Sequence, residues 1–296
     1  MQTITVIGSG TMGNGIAHVF AQNGYKVNLV DVSEDALKKG METIEKNLAR
    51  QVKKEKISED DKKKTLGNIT STTDMKKAAS NMDLAVEAVS EKIEIKREIF
   101  QQLDKNSPES AILASNTSSI SITNIASSTS RPDKVIGMHF MNPVPVMKLV
   151  EVIRGYATSD DVTQKIMDLS KKIGKIPVEA NDYPGFVSNR VLLPMINEAI
   201  HTLHEGVAGV QEIDTVMKLG MGHPMGPLHL ADFIGLDVCQ SILEVMHDGF
   251  GDPKFAPSPL LKNMVLAGHL GAKSGQGFYD YREDPKNPKV SHQFEK

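Results

Sequence analysis

The sequence predicts an α/β protein whose doubly wound, mostly parallel sheet is followed by a second, all-helical domain. Short runs rich in Val, Ile, Leu and Ala alternate with helical patterns up to about residue 180, which favours a parallel sheet between helices. These runs are continuous rather than alternating, as expected of strands that are buried on both faces. After NDYPGF (181–186) the strand patterns stop and helical patterns continue.

Length and composition limit the classes of protein that fit. A chain of 296 residues is long enough for two domains, and we predict them at 1–183 and 184–296. The net charge of -3 does not favour nucleic acid or an anionic membrane as a partner. The sequence lacks the roughly 18 unbroken apolar residues of a membrane span, and its single cysteine, Cys239, fits a reducing compartment. We therefore expect a soluble, cytoplasmic protein with small-molecule ligands.

Seven strands are predicted in the first domain, and helices lie between most of them. The strands are expected at residues 3–8, 26–31, 83–88, 111–115, 134–140, 148–153 and 175–180. The last run contains Pro177, which cannot donate a backbone hydrogen bond, so it is predicted to be an edge strand. Helices are expected at residues 13–23, 34–55, 92–105, 119–127 and 160–173.

The second domain is predicted to begin with a long helix. This helix runs from Phe186 to a glycine cap at Gly206, with apolar residues near the helical period. Two more helical stretches follow, at 212–220 and near 229–247, and a short helix follows the Pro-rich FAPSPL. The charged tail after Tyr281 is expected to be loosely held.

Residues 34–64 form an unusual charged segment. They carry RQVKKEK and DDKKK and are predicted to form a helical hairpin that projects from the sheet. Two interpretations remain open from the residues alone. The hairpin is either a solvated charged surface or an arm that binds phosphate groups.

Three glycines stand between the first strand and the first helix. Gly8 permits a tight turn, Gly10 leaves room for a pyrophosphate, and Gly13 lets the helix pack closely on the strand. The helix N-terminus, where Thr11 and Met12 lie, favours an anion, although a tight structural turn remains an alternative. Asp31 ends the second strand, where an acidic residue accepts hydrogen bonds from the ribose of NAD and repels the 2′-phosphate of NADP. The prediction is a Rossmann-type site for NAD.

A second group of polar residues points to acid–base chemistry. His139 lies at the end of a predicted strand, where doubly wound folds bind their ligands. Glu151 is in the next strand, which can return beside it. A histidine next to a carboxylate is a general base held in one tautomer. The alternative is a buried histidine whose hydrogen bonds a structural acid satisfies.

Five motifs together resemble the 3-hydroxyacyl-CoA dehydrogenase family, and most of all its bacterial 3-hydroxybutyryl-CoA dehydrogenases. They are SNTSSI, HFMNPVPVMKLVEVI, PGFVSNR, MGHPMGPLHLAD and GQGFYDY, and the resemblance extends over about residues 2–282. It implies that (S)-3-hydroxyacyl-CoA and 3-oxoacyl-CoA are interconverted with a nicotinamide cofactor. Substrate is then expected between the carboxyl edge of the sheet and the helical domain, and a homodimer is expected through that domain.

The resemblance also implies roles for individual residues. His139 is similar to the catalytic base and Glu151 to the carboxylate that orients it, while Ser118 and Asn189 would hold the reacting oxygen of the substrate. The implied cofactor-binding residues are Gly8, Gly10, Thr11, Met12, Gly13, Asp31, Glu91, Lys96, Ser118, Asn142 and Lys273. The implied coenzyme A contacts are Asn47, Arg50 and Lys54. The sequence shows no cluster of metal ligands, so no metal is expected.

Two other functions remain open at this point. One is a related dehydrogenase that acts on a hydroxy acid without a thioester. The other is a non-catalytic NAD-binding protein with the same fold. His139, Glu151, Ser118 and Asn189 are present together, which argues against loss of activity.

Overall fold

The computed structural model describes residues 1–295 and divides into two compact units, the first comprising Met1–Tyr183 and the second beginning at Pro184. An eight-stranded sheet forms the centre of the first unit. Its strands are β1 Thr3–Ile7, β2 Lys26–Val30, β3 Ile69–Thr72, β4 Leu84–Glu87, β5 Ile112–Ser115, β6 Val135–Phe140, β7 Leu149–Arg154 and β8 Ile176–Asn181. Their order across the sheet is β3-β2-β1-β4-β5-β6-β7-β8.

The sheet is mostly parallel, as predicted. β7 runs antiparallel to β6, and every other neighbouring pair is parallel. Strand order reverses between β1 and β4, so a crevice opens at the carboxyl ends of these strands, where α/β folds bind ligands. The strand with Pro177 lies at the sheet edge, and this prediction is confirmed.

The structure adds an eighth strand that the sequence pattern did not reveal. β3 has the sequence ITST, and its residues are only partly buried or exposed. It pairs with β2 at the opposite edge of the sheet. An edge strand with polar side chains lacks the apolar run by which the other strands were identified.

Seven helices complete the first unit. They are α1 Thr11–Gln22, α2 Glu34–Lys53, α3 Glu59–Gly67, α4 Met75–Ala79, α5 Ile93–Asn106, α6 Ile122–Ala126 and α7 Asp160–Lys172. α6 is shorter than predicted, and α4 was not predicted. α2 and α3 form the charged hairpin, and the second of these helices begins with a capping box between Ser58 and Asp61.

Within residues 184–295, the second unit contains five α-helices. They are α8 Ser188–His204, α9 Val210–Thr215, α10 Pro227–Ile234, α11 Leu236–Phe250 and α12 Pro259–Leu266, with a π-helical turn at Val216–Gly220. The single helix predicted near 229–247 is wrong, because two helices meet at Gly235. Its φ of 104° is incompatible with a continuous right-handed helix.

The tail is also held more firmly than expected. Strands β9 Tyr279–Asp280 and β10 Lys289–Val290 form a short antiparallel ladder. Ser291 is buried and its hydroxyl donates to the Gly277 carbonyl at 2.8 Å. Phe294 packs against Phe278 with ring centroids 5.7 Å apart. These contacts fix a segment whose charged composition had suggested a loose end.

Across residues 1–295, no helix is both long enough and apolar enough to cross a membrane.

Candidate active site

The glycine turn has the geometry that its spacing predicts. Gly8 has a φ of 97°, and a Cβ there would lie 2.6 Å from the Ala88 carbonyl oxygen. A Cβ at Gly13 would lie 1.8 Å from the Gly8 carbonyl oxygen, so only glycine lets α1 pack this closely. A Cβ at Gly10, by contrast, would meet no described atom within 4 Å. The turn is therefore closely packed at Gly8 and Gly13 and leaves open space at Gly10.

Asp31 borders a cavity of about 720 Å³ beside this turn. Gly8, Gly10 and Val32 also line it. One carboxylate oxygen of Asp31 accepts hydrogen bonds from both the backbone N–H and the hydroxyl of Ser9, each at 2.8 Å. These bonds fix the carboxylate at the end of β2, where the sequence analysis expected it to meet a ribose.

A second cavity, of about 440 Å³, lies on the other side of Gly10. Its lining brings together three residues that the sequence analysis singled out separately, Gly10, Asn47 and Asn142. Thr11 lines it as well, at the first position of α1. The open position at Gly10 and the cavities on both sides of it suit an extended dinucleotide whose phosphates lie at a helix N-terminus.

His139 and Glu151 meet across the antiparallel pair β6 and β7. The two residues are direct partners in the strand register, so their side chains point to the same face. His139 Nδ1 lies 2.8 Å from Glu151 Oε2. The exposed fractions of the two residues are 8% and 2%. Because the carboxylate accepts a hydrogen bond from the N–H at Nδ1, the imidazole is held in the tautomer whose basic nitrogen is Nε2.

Glu91 organises the turn that carries Ser118. One of its oxygens accepts hydrogen bonds from the Thr117 hydroxyl, from Ser118 N at 3.0 Å and from Ser119 N at 3.2 Å. The other lies 3.1 Å from Lys96 Nζ. Burial alone would raise the pKa of Glu91, but the Lys96 charge and these hydrogen bonds lower it below its ordinary value. Glu91 is thus a charged residue that orders residues 117–119.

The remaining predicted residues lie on other elements of the two units. Arg50 and Asn47 are neighbours on α2, with a nitrogen–oxygen distance of 3.5 Å. Lys54 is the residue that caps this helix. In the second unit, Asn189 lies in the first turn of α8, and Lys273 forms an ion pair with Asp237. Within residues 1–295, no three His, Cys, Asp or Glu side chains are placed to hold a metal ion.

Two residues that support this site were not predicted from the sequence. Glu87, the last residue of β4, is completely buried and bonds to Lys96. Asn116 accepts a hydrogen bond from Phe140 N at 2.9 Å, which ties the turn after β5 to the end of β6. An acidic residue inside the apolar run DLAVEA was the available signal for Glu87.

Comparison with known proteins places this geometry in a family. Residues 3–183 match "3-hydroxyacyl-CoA dehydrogenase, NAD binding domain", and residues 185–281 match "3-hydroxyacyl-CoA dehydrogenase, C-terminal domain". A probable 3-hydroxybutyryl-CoA dehydrogenase of Bacillus subtilis (strain 168) is 55% identical over 96% of this chain and 98% of the relative. A 3-hydroxybutyryl-CoA dehydrogenase of Bradyrhizobium diazoefficiens is 54% identical over 95% of this chain and 96% of the relative.

Solved structures agree with the sequence comparison. The crystal structure of (S)-3-hydroxybutyryl-CoA dehydrogenase from Ralstonia eutropha superposes with a TM-score of 0.92 and 49% identity. The match covers 95% of this chain and 99% of that one. Both domain descriptions and these full-length similarities lead to one assignment: the chain belongs to the 3-hydroxyacyl-CoA dehydrogenase family.

Proposed function

We propose that this oxidoreductase interconverts (S)-3-hydroxybutyryl-CoA and acetoacetyl-CoA with a nicotinamide cofactor. The observation that carries the proposal is the buried His139–Glu151 pair at the carboxyl end of β6, in a chain about half identical to 3-hydroxybutyryl-CoA dehydrogenases. The glycine turn and the cavities beside Gly10 support the cofactor class.

In the proposed mechanism the protein moves one proton and holds the reacting oxygen. His139 Nε2 accepts the proton of the 3-hydroxyl group, and the Glu151 carboxylate stabilises the imidazolium that forms. In the reverse direction the imidazolium returns that proton to the ketone oxygen. Ser118 is proposed to orient this oxygen from the turn that Glu91 orders. A bound nicotinamide cofactor supplies the hydride acceptor or donor.

Asn189 and Lys273 stay predictions from the family resemblance. So does the coenzyme A role of Asn47, Arg50 and Lys54, which the basic last turn of α2, with Arg50 and Lys53, supports. The same holds for a cytoplasmic location.

The direct test is the absorbance of NADH after acetoacetyl-CoA is added to a mixture of the purified protein and NADH. We expect the NADH band to decrease, and to decrease much more slowly with free acetoacetate. Faster turnover of free acetoacetate would favour a dehydrogenase of hydroxy acids without a thioester. NADH binding with no turnover of either compound would favour a non-catalytic binding protein.

We propose NAD rather than NADP as the cofactor. The support is the Asp31 carboxylate, which Ser9 holds beside the 720 Å³ cavity. Asp31→Ser should weaken NADH use and improve NADPH use relative to it, because it removes both the ribose acceptor and the negative charge. A wild-type protein that already prefers NADPH would contradict this assignment.

We also propose a homodimer formed through the second unit. Several large apolar side chains of this unit are exposed, namely Val207, Val216, Leu219, Phe233 and Leu266. Exposed apolar side chains mark an interaction surface where they are contiguous, and Val216 and Leu219 lie in the same π-helical turn. Light scattering coupled to size exclusion should give twice the 32.3 kDa chain mass, and the mass of a monomer would contradict the proposal.

A further inference from the structure

Glu87 is a completely buried carboxylate outside the catalytic pair. One of its oxygens accepts from Val89 N at 2.7 Å and lies 2.8 Å from Lys96 Nζ. The other accepts from the Ser115 hydroxyl at 2.6 Å. The partners come from the turn after β4, from α5 and from the end of β5, so one side chain joins three elements at the carboxyl edge of the sheet.

Lys96 connects Glu87 to the turn that carries Ser118. The side chain of Lys96 is 1% exposed, and its ammonium group lies between the carboxylates of Glu87 (2.8 Å) and Glu91 (3.1 Å). Glu91 in turn accepts from Ser118 N. Every step from Glu87 to Ser118 is therefore an ion pair or a hydrogen bond between described atoms.

We propose that Glu87 is a positioning residue: it fixes Lys96, and through Lys96 the Glu91 carboxylate and the 117–119 turn, in the arrangement that binds the nicotinamide end of the cofactor. This inference rests on the proposed function, because it assumes that these residues face the cofactor. Glu87 itself touches neither cofactor nor substrate.

The cost of burying this carboxylate supports a positioning role. Removing a carboxylate from water is unfavourable unless its partners compensate, and an apolar residue at the end of a buried strand avoids that cost. A lone Lys96–Glu91 pair would leave the ammonium group without a second fixed acceptor on the β4 side. With Glu87 present, the ammonium group is held from both sides and Glu91 keeps one orientation.

The test is Glu87→Gln, which keeps the shape and removes the charge. We expect the dissociation constant of NADH, measured by fluorescence titration, to rise about tenfold or more, the range for losing hydrogen bonds to charged groups. The maximal rate should fall as well, because Ser118 is less well placed. The Michaelis constant for acetoacetyl-CoA at saturating NADH should stay within about twofold of wild type, as hydrogen bonds at the cofactor end do not contact coenzyme A.

Asp104→Asn is the matched control. Asp104 is also a carboxylate of the first unit, it pairs with Arg131 at 2.7 Å, and it accepts from Ser130 N. Its substitution should lower the melting temperature while leaving NADH binding at the wild-type value. A structural role for Glu87 would give the same result as this control, whereas a positioning role changes NADH affinity.

A double-mutant cycle with Glu91→Gln gives the decisive result. If Glu87 acts through Glu91, the dissociation constant of NADH for the double variant should be little higher than that of the single variant with the higher constant. Additive losses, or a Glu87→Gln affinity within twofold of wild type, would overturn the inference while wild type still binds NADH. If wild type binds no NADH, the proposed function is overturned, and this inference with it.

If Glu87→Gln does not fold, Ser115→Ala replaces it. This variant leaves all charges in place. It removes the bond to the second Glu87 oxygen and the bond that the Ser115 hydroxyl accepts from Thr117 N at 3.2 Å, which is a second connection between Glu87 and the 117–119 turn. A dissociation constant for NADH about threefold above wild type, which is in the range for losing one neutral hydrogen bond, supports the inference. An unchanged dissociation constant overturns it.

Discussion

The two units of this protein bury carboxylates in different ways. In the first unit two buried carboxylates pair with basic side chains, Glu87 with Lys96 and Glu151 with His139. In the second unit, Asp214 and Asp232 accept hydrogen bonds from neutral backbone N–H and tyrosine O–H groups. Similar burial thus produces two electrostatic situations.

Asp232 shows the second arrangement in full. It accepts from Phe278 N at 3.0 Å, Tyr279 N at 2.8 Å and the Tyr281 hydroxyl at 3.2 Å. Asp214 likewise accepts from the Tyr279 hydroxyl at 2.8 Å, as well as from two N–H groups in the first turn of α10. These bonds tie the chain at 278–281 to the helices, which is a structural task.

The pKa values of Asp232 and Glu91 shift in opposite directions, and the two carboxylates differ both in their partners and in their exposure. Burial raises the pKa of Asp232 to about 7, because neutral donors compensate only part of the lost hydration. Burial acts in the same direction on Glu91, but the Lys96 charge and several hydrogen bonds lower its pKa instead. A carboxylate with a cationic partner, such as Glu91, stays charged and can order a site, whereas a buried carboxylate with neutral partners, such as Asp232, serves mainly to connect segments.

The largest expected effect is in the first unit, at His139. His139→Gln removes the proton carrier and leaves the glycine turn unchanged, so NADH binding should stay close to wild type. The rate should fall about 10²-fold or more, the usual contribution of general acid–base catalysis. Steady-state kinetics and NADH titration measure the two quantities, and near-normal turnover would contradict the mechanism.

Lys96→Met tests the cost of removing the cation. The completely buried Glu87 would then lack its compensating charge, and we expect about 3–5 kcal/mol of lost stability. Chemical denaturation followed by far-UV circular dichroism measures this loss. The control is Lys165→Met, which breaks an exposed pair with Asp161 and should change stability little. Equal effects of the two variants would contradict the role of burial.

Asp232 should make the second unit less stable as the pH rises. Its pKa in the folded state, about 7, lies above the ordinary value of 3.8. Its contribution is therefore fully present below about pH 4 and is lost as the pH approaches 7, by roughly 4 kcal/mol in all. Asp232→Asn cannot titrate and serves as the reference.

Hydrogen exchange of residues 277–281 in the full chain measures this effect. The ratio of wild-type to Asp232→Asn protection factors should decrease between about pH 5 and 7. A ratio that does not change with pH would show that Asp232 does not titrate in this range and would contradict a pKa of about 7.

The smallest effect is expected at the exposed charges of the hairpin. Lys54→Glu should raise the Michaelis constant for acetoacetyl-CoA several-fold at low salt and less at high salt, because exposed charges are screened. Glu55→Gln, at the neighbouring position, is the control and should not raise this Michaelis constant. An unchanged Michaelis constant at low salt would return the hairpin to the interpretation of a solvated surface.

Sequence patterns predicted the parts of this molecule that local chemistry determines. The glycine spacing predicted the turn at Gly8, and continuous apolar runs predicted seven of eight strands in the sheet. The role of His139 and Glu151 stayed open between a general base and a buried histidine with a structural acid. Twelve residues of spacing also do not specify the strand register that would bring the two side chains together. The antiparallel pairing of β6 and β7 supplies that register.

Long-range partners could not be predicted in this way. Glu87 bonds to Ser115, 28 positions along the chain, and Asp232 to residues 46 to 49 positions away. Neither pattern nor propensity records such contacts. β3 and the break at Gly235 were missed for local reasons, since one has polar edge residues and the other differs from a continuous helix at a single φ angle.

The central claim is that His139 and Glu151 act as one proton-transfer unit in a 3-hydroxybutyryl-CoA dehydrogenase. The most direct measurement is the maximal rate of acetoacetyl-CoA reduction by wild type, His139→Gln, Glu151→Gln and the double variant. Each single variant should lose rate, and the double variant should lose little more than His139→Gln alone, because residues that act as a unit are not additive. Additive losses in the double variant would show that Glu151 acts elsewhere and would contradict the claim.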